Sequence, residues 1–244
     1  MKKIVLIPTY NEKENIEEMV RKVMSLAGGF DVLVIDDASP DGTAQIVEGL
    51  QAEFPERLLL LKRAGKEGLG TAYIAGFRRA LELEYDYIFE MDADFSHNPD
   101  DLIRMYEAAE VSGADVVIGS RYVVGVNVVN WPMKRILMSY FASGYVRTVT
   151  RMQVHDATAG FVCYARRVLE GIDLDSIRMK GYGFQIEMKY TAWKLGYRIV
   201  EIPIIFTERT RGASKMSSSI FGEAFWGVIG LRFRKIRGTR DGLQ

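Results

Sequence analysis

What most constrains this chain is an alternation repeated through its first half: a short β-branched or aliphatic run, a polar stretch, then apolar residues at helical spacing. Lys3 to Ile7 reads as the first strand. Ile16, Met19, Val20, Val23 and Met24 then share one helix face, with Asn11 and Glu14 spaced as in a capping box. Strand Val32 to Ile35 precedes a helix from Thr43 with Ile46, Val47 and Leu50 inward, and Leu58 to Leu61 precedes a helix after Gly70 carrying Tyr73, Phe77 and Leu81. Tyr87 to Met91 leads to Leu102, Ile103 and Tyr106, and Asp115 to Gly119 adds another strand. The alternation predicts an α/β sandwich with a largely parallel sheet. In open sheets of that kind, ligands bind outside the carboxyl ends of the strands.

That rule selects the segments to read for chemistry. PTYNE (8 to 12) follows the first strand, DDASPDG (36 to 42) the second, RAGKEGLG (63 to 70) the third, and Asp92-Ala93-Asp94 the fourth. Two carboxylates one residue apart can hold Mg²⁺ or Mn²⁺ through oxygen ligands and so neutralise a diphosphate; the same pair can also serve as strand and helix caps. Asp36-Asp37 can accept hydrogen bonds from ribose hydroxyls or a base N–H, whereas Asp41-Gly42 suits a turn before a helix. Gly65, Gly68 and Gly70 allow close approach to a ligand, with Lys66 offering a charge, or a plain turn. PTYNE occupies the position where a dinucleotide-binding fold carries its glycine fingerprint, which disfavours a dehydrogenase, and no GxxxxGK[ST] loop is present.

Beyond residue 120, Trp131-Pro132 and Ile136 to Val149 suggest a loop and a helix with apolar residues on several faces. Phe161 to Tyr164 and Tyr197 to Phe206 read as strands around a helix near Gln185 to Leu195. Arg121, Arg135, Arg209, Arg211 and Lys215 fall in loops or at element ends, where guanidinium groups can pair with phosphate oxygens. His97 and His155 are too isolated for a zinc site and suit capping or surface roles. Thirty-two basic residues balance 32 acidic ones, which argues against a general nucleic-acid binder. The lone Cys163, in an apolar run, suits a buried thiol and a reducing compartment. The apolar run near the N-terminus is too short for a signal peptide, and no run approaches the about 20 residues that cross a bilayer, so the expectation is a cytosolic protein.

Nine stretches in order carry a resemblance: IPTYNEKENI (7 to 16), VIDDASPDGT (34 to 43), GKEGLGTAYIAGF (65 to 77), MDADFSHNPDDL (91 to 102), GSRY (119 to 122), NWPMKR (130 to 135), DATAGF (156 to 161), GYGFQIEM (181 to 188) and FTERTRGASKM (206 to 216). Together they resemble the family 2 glycosyltransferases, and within them the dolichyl- or polyprenyl-phosphate mannosyltransferases. The resemblance implies the GT-A fold, a Rossmann-like domain with a central, mostly parallel mixed sheet flanked by helices, over residues 1–216. It implies transfer of mannose from GDP-mannose to a dolichyl or polyprenyl phosphate, with inversion, giving a β-linked mannosyl phosphate and GDP. UDP-glucose or another nucleotide sugar is the alternative donor, and a nucleotide-binding scaffold without catalysis the alternative class.

Carried over by position, Pro8, Tyr10, Glu12, Asp37, Lys66, Asp92, Arg209 and Lys215 would bind the nucleotide sugar, and Asp92 and Asp94 the Mg²⁺ or Mn²⁺. Arg121, Arg135 and Ser139 would hold the acceptor phosphate, and Asp92, Arg121, Arg135 and Arg209 would form the catalytic set, with Asp94 the nearer metal ligand. Some relatives carry a glutamine that aids the metal where Ser96 stands, so no ligation is assigned to residue 96. A phosphate monoester is already anionic near neutral pH and needs no general base. Glu187 is then expected to orient an arginine or a sugar hydroxyl. Residues 217–244 form a tail whose Ile220 to Leu231 helix, about 18 Å long, is too short to span a membrane. It can lie in the interface with Phe221, Phe225 and Trp226 inserted and a basic run behind, or cover the core. The lipid acceptor tilts the expectation to peripheral association at the cytoplasmic face, or to a membrane-spanning partner.

Overall fold

The computed structural model describes residues 1–179, 181–209, 211, 219–236 and 238–239, with the side chains of 182 and 219–224 left aside. Its central sheet holds β1 (Lys3–Thr9), β2 (Phe30–Asp36), β3 (Leu58–Lys62), β4 (Tyr87–Glu90), β5 (Val116–Ser120), β7 (Val162–Ala165) and β8 (Ile199–Pro203). The strand order is β3-β2-β1-β4-β7-β5-β8. All pairings are parallel except those of β7, which runs antiparallel to both β4 and β5. The chain moves outward from β1 through β2 to β3, then returns to the other side of β1 as β4. This reversal opens a crevice at the strand ends, where open sheets place their ligands.

Helices cover both faces because alternate strand residues point to opposite sides. Val5, Ile7, Val32 and Val34 pack with α1 (Ile16–Met24), α2 (Thr43–Gln51) and α4 (Asp101–Ser112). Ile4, Leu6, Leu33 and Ile35 face α3 (Leu69–Glu82), α6 (Arg166–Gly171), α7 (Tyr182–Lys194) and α8 (Ser219–Phe233). Phe77 and Phe184 join α3 to α7 with ring centroids 6.4 Å apart. Gly70 permits that approach: a Cβ there would lie 2.8 Å from the Phe184 ring and 2.9 Å from the Met179 carbonyl. Of the three glycines read as ligand-approach candidates, Gly70 thus serves helix packing, and Gly68 supplies a backbone φ of 107° that other residues avoid.

Several boundaries differ from the sequence reading for identifiable reasons. The capping box does not form: Asn11 takes a left-handed conformation, φ 56°, and α1 begins only after Asn15, whose amide donates to Glu12 Oε2 at 2.9 Å. The strand expected over Tyr197 to Phe206 ends at Pro203, whose nitrogen faces the open edge of the sheet, and resumes as β9 (Phe206–Thr207), paired with β6 (Val128–Val129). The apolar run after Trp131 becomes α5 (Met133–Thr150), whose Met133, Leu137, Met138, Tyr140 and Phe141 remain exposed. In α8, Val228 and Leu231 enter the core, as the covering role expects, while Phe225, Trp226 and Phe233 face outward. Among the described residues, no helix is long and apolar enough to cross a membrane.

Candidate functional site

A cavity of ≈ 1030 Å³ opens where the rule for open sheets places it. Residues following β1, β2, β4 and β5 line it, joined by Thr158, Ala159 and Gly160 in front of β7, because the antiparallel strand brings its amino end to this edge. The cavity gathers every expected site residue that is described: Pro8, Tyr10, Glu12, Asp37, Lys66, Asp92, Asp94, Arg121, Arg135, Ser139 and Arg209. Lys215 lies outside the described residues.

One end is acidic and aromatic. Asp37 is tethered by its backbone N–H to the Thr9 carbonyl at 3.0 Å, and its carboxylate receives Arg63 Nη1 at 2.7 Å. Burial pushes the Asp37 carboxyl upward, and Arg63 opposes this. The Lys66 ammonium sits 4.9 Å from the Tyr10 ring centroid, a cation–π contact that closes the loop over β1. The other aspartates of DDASPDG are structural: Asp36 receives the Ser39 N–H and hydroxyl at 2.9 and 2.6 Å, and Asp41 receives the Thr43 N–H at 3.0 Å where α2 starts.

At the centre stand the paired carboxylates. Asp94 is buried; its Oδ1 accepts the Ser96 N–H at 3.0 Å and its Oδ2 meets Arg209 Nη2 at 2.8 Å. Asp92 sits deep in the same crevice, yet 41% of its side chain faces open cavity space. Burial and the Asp94 charge push its carboxyl up to about 7, against the pull of Arg209. A carboxylate held this far up, with Asp94 and Glu12 adding to the negative field, suits a cation. Among the described residues, no three His, Cys, Asp or Glu side chains converge as a metal cage. Two carboxylates nonetheless fit Mg²⁺ or Mn²⁺, which fill their other positions with substrate phosphate oxygens and water. The expectation that Asp94 is the nearer ligand meets Arg209 at that oxygen, whereas Asp92 presents its carboxylate to the cavity.

His97 departs from its expected capping or surface role. It is buried, stacks on Phe161 at 4.8 Å, and its Nδ1 accepts the Asp92 N–H at 3.2 Å. Burial pushes the imidazole down to about 4, so it stays neutral and braces the turn that presents Asp92.

The far wall is basic. Arg121 donates to Asp156 from its backbone N, Nε and Nη2 at 2.9, 2.7 and 2.6 Å, and to Thr158 Oγ1 at 2.9 Å. Trp131 stands between two guanidinium groups, with Arg135 Cζ 4.0 Å and Arg121 Cζ 5.5 Å from its ring centroid. Arg135 also pairs with Glu208, and Ser139 lies one helical turn beyond it on α5. Arg211 belongs elsewhere, paired with Glu18 on the surface at 2.9 Å. Glu187 also lies off the cavity: it receives the Arg178 and Met179 N–H groups at 3.0 and 2.8 Å and pairs with Arg234 at 2.5 Å. Its arginine partner is thus one on the tail, not one of the arginines lining the cavity.

Sequence reasoning about single residues missed Asp156, Trp131, His97, Tyr73 and Gln185. All five fall within stretches that carry the family resemblance, but what ties Asp156 to Arg121 is a contact across 35 positions.

Comparison with known proteins follows the same geometry. The family described as glycosyl transferase family 2 matches residues 4–172. The polyprenol monophosphomannose synthase of Mycolicibacterium smegmatis is 45% identical over 241 residues, covering 97% of this chain and 90% of that protein. The undecaprenyl-phosphate mannosyltransferase of Micrococcus luteus is 47% identical over 243 residues, covering 96% and 99%. Among solved structures, glucosyl-3-phosphoglycerate synthase from Mycobacterium tuberculosis, with Mn²⁺, UDP-glucose and phosphoglyceric acid, superposes with a TM-score of 0.68 at 14% identity, covering 94% of this chain and 78% of that one.

Proposed function

The chain belongs to glycosyltransferase family 2 and has the GT-A fold, and on that premise we propose that it transfers mannose from GDP-mannose to a polyprenyl phosphate with inversion, giving polyprenyl β-D-mannosyl phosphate and GDP. The observation that carries the reading is one continuous cavity joining an acidic, aromatic end to a basic wall that opens on exposed apolar side chains. Pro8, Tyr10, Glu12, Asp37 and Lys66 hold the nucleotide, and Arg209 turns to the donor diphosphate. Asp92 and Asp94 would hold Mg²⁺ or Mn²⁺, which would neutralise charge on the departing diphosphate.

Arg121, Arg135 and Ser139 seat the acceptor phosphate. One of its oxygens forms the bond to the anomeric carbon as the bond from that carbon to the diphosphate breaks, and the electron pair leaves with GDP. The attacking oxygen is already ionised, so no side chain need remove a proton. The protein's work is to hold two anionic groups in line, and Asp156 contributes by fixing the Arg121 guanidinium in one plane.

The lipid end of the acceptor lies against α5 and α8. Met138, Phe141 and Phe225 line the cavity mouth and are exposed, and Tyr145 ties the helices together by stacking on Phe225 at 4.8 Å. Leu137 and Trp226 extend this face, and Lys134, Arg147 and Arg151 flank it, a composition suited to peripheral docking on an anionic membrane. The test is transfer of label from GDP-mannose or UDP-glucose to a polyprenyl phosphate with Mg²⁺, counted in the organic phase. Label from GDP-mannose is expected; none, with lipid and membrane supplied, overturns the reading.

A further inference from the structure

Beneath the cavity floor lies a set of polar side chains to which transfer, as described above, gives no task. Gln185 and Tyr73 line the cavity. Behind them stand Glu90 on β4 and Tyr164 on the neighbouring β7, two pairing positions apart on the same sheet face, with Lys189 one helical turn along α7 from Gln185. All five are buried. Among the described residues the hydroxyls of Tyr73 and Tyr164, both Glu90 carboxylate oxygens and Gln185 Nε2 lack a hydrogen-bond partner. Folded proteins leave few such atoms. Five in one region mark a place that a polar guest completes.

The cluster also fixes which atoms are on offer. Lys189 Nζ donates to the Ala159 carbonyl at 2.6 Å, to the Gln185 carbonyl at 3.2 Å and to Gln185 Oε1 at 3.1 Å. With Oε1 taken, turning the amide over would set Nε2 against an ammonium, so Nε2 stays as the donor. Gln185 leans toward Glu90 without reaching hydrogen-bond geometry. The cavity beside it is walled by Ala72, Ala159 and Gly160, whose small side chains leave room next to Asp92. Asp92, Tyr73 and Gln185 line the same cavity, so a group attached to a diphosphate at Asp92 shares this space.

We propose that Gln185 reads the donor's hexose, giving a hydrogen bond from Nε2 to one ring hydroxyl, with Lys189 as the positioning residue that holds the amide in that orientation. The inference rests on the cavity being a nucleotide-sugar site. A hexose hydroxyl both donates and accepts, so it satisfies the amide and can pass its own proton toward Tyr73 or Glu90. Sites built to bond a substrate hydroxyl discriminate strongly against analogues that lack it, because the buried partner is then left bare.

The test is a series of GDP-mannose analogues, each lacking one ring hydroxyl, given to the wild-type protein and to Gln185→Glu with Mg²⁺ and polyprenyl phosphate. The glutamate keeps an oxygen for Lys189 and puts a charged acceptor where the amide N–H was, so the uncharged Gln185→Met is run beside it to separate loss of the donor from gain of a charge. The wild type should lose about 100-fold in kcat/KM for one analogue. Gln185→Glu should lose a similar factor on GDP-mannose, show no more than about threefold further loss on that analogue, and bind GDP as the wild type does. An equal loss across the whole series, or discrimination retained in the variant, overturns the proposal and leaves a well filled by water. Should the variant not fold, the wild-type series decides, since no hydroxyl standing out also overturns it. Absence of transfer from any donor would instead refute the proposed function. Calorimetry with GDP-mannose against GDP then decides the inference, which fails if the hexose adds no affinity.

Discussion

Replacing Asp156 with Asn tests how the basic wall is held. The side chain keeps its shape, so no cavity forms; what disappears is the negative charge facing a buried guanidinium that accepts no deprotonation. Three hydrogen bonds of 2.6 to 2.9 Å converge on that carboxylate from Arg121 alone. Breaking a buried pair of this kind costs about 3–5 kcal/mol. At about 2–4 °C per kcal/mol for a chain of this size, Tm should fall by roughly 6–20 °C in a calorimetric scan at pH 7. The pH dependence fixes the sign. Burial works to raise the Asp156 carboxyl, but Arg121 overrides it and holds the group below its ordinary value. Its stabilisation is therefore present above the unfolded value of about 3.9 and lost as pH falls through the folded value, so the Tm gap between wild type and variant should narrow below about pH 4. A gap under about 2 °C at pH 7, or one that does not change on acidification, refutes the reasoning. The double replacement Arg121→Met with Asp156→Leu should recover much of the stability while transfer stays lost.

Four further outcomes follow from the geometry. The Asp92 carboxyl, at about 7, must lose its proton to a cation, so Mn²⁺ affinity measured by paramagnetic resonance with GDP present should weaken by about tenfold per pH unit from 7 to 5; a flat profile refutes this. In the metal-free protein the same raised group favours the folded state below its unfolded value of about 3.9 and loses that contribution as pH rises through 7, a slope that Asp92→Asn should remove. Phe141→Ser with Trp226→Ser, at positions 67% and 71% exposed, should weaken sedimentation with anionic liposomes by about tenfold while changing stability by about 0.5 kcal/mol or less; unchanged sedimentation removes α5 and α8 from the membrane face. Gly70→Ala should destabilise by about 1–3 kcal/mol in urea titration, since its methyl would enter the Phe184 ring, and a neutral result would show that α3 and α7 yield there.

The parallel half of the sheet was legible because its signals are local. Strand periodicity, helix faces and the polar segments after β1, β2 and β4 all lie within short windows, and the rule for open sheets converts them into a location. The direction of β7 was not legible, since Val162 to Ala165 reads the same way for either orientation and only its partners Tyr87 to Glu90 and Val116 to Ile118 decide it. The same limit applies to side chains. Asp92, Asp94 and the arginines stand in recognisable motifs, whereas His97 reveals its burial only through Phe161, and Asp156 its purpose only through Arg121. Gly70, read as allowing close approach to a ligand or as part of a plain turn, serves a helix contact whose other half lies more than a hundred residues away at Phe184.

The reversed strand also divides the enzyme into parts that can change separately. In the proposed reading, donor recognition comes mainly from segments that leave parallel strands, while Asp156 and Thr158 belong to a segment that enters β7 from α5. On that reading, altering Asp156 and Thr158 would rewrite the wall assigned to the acceptor and leave the β1 and β2 loops untouched. One scaffold can thus be retuned to a new receiving molecule while it continues to spend the same activated sugar.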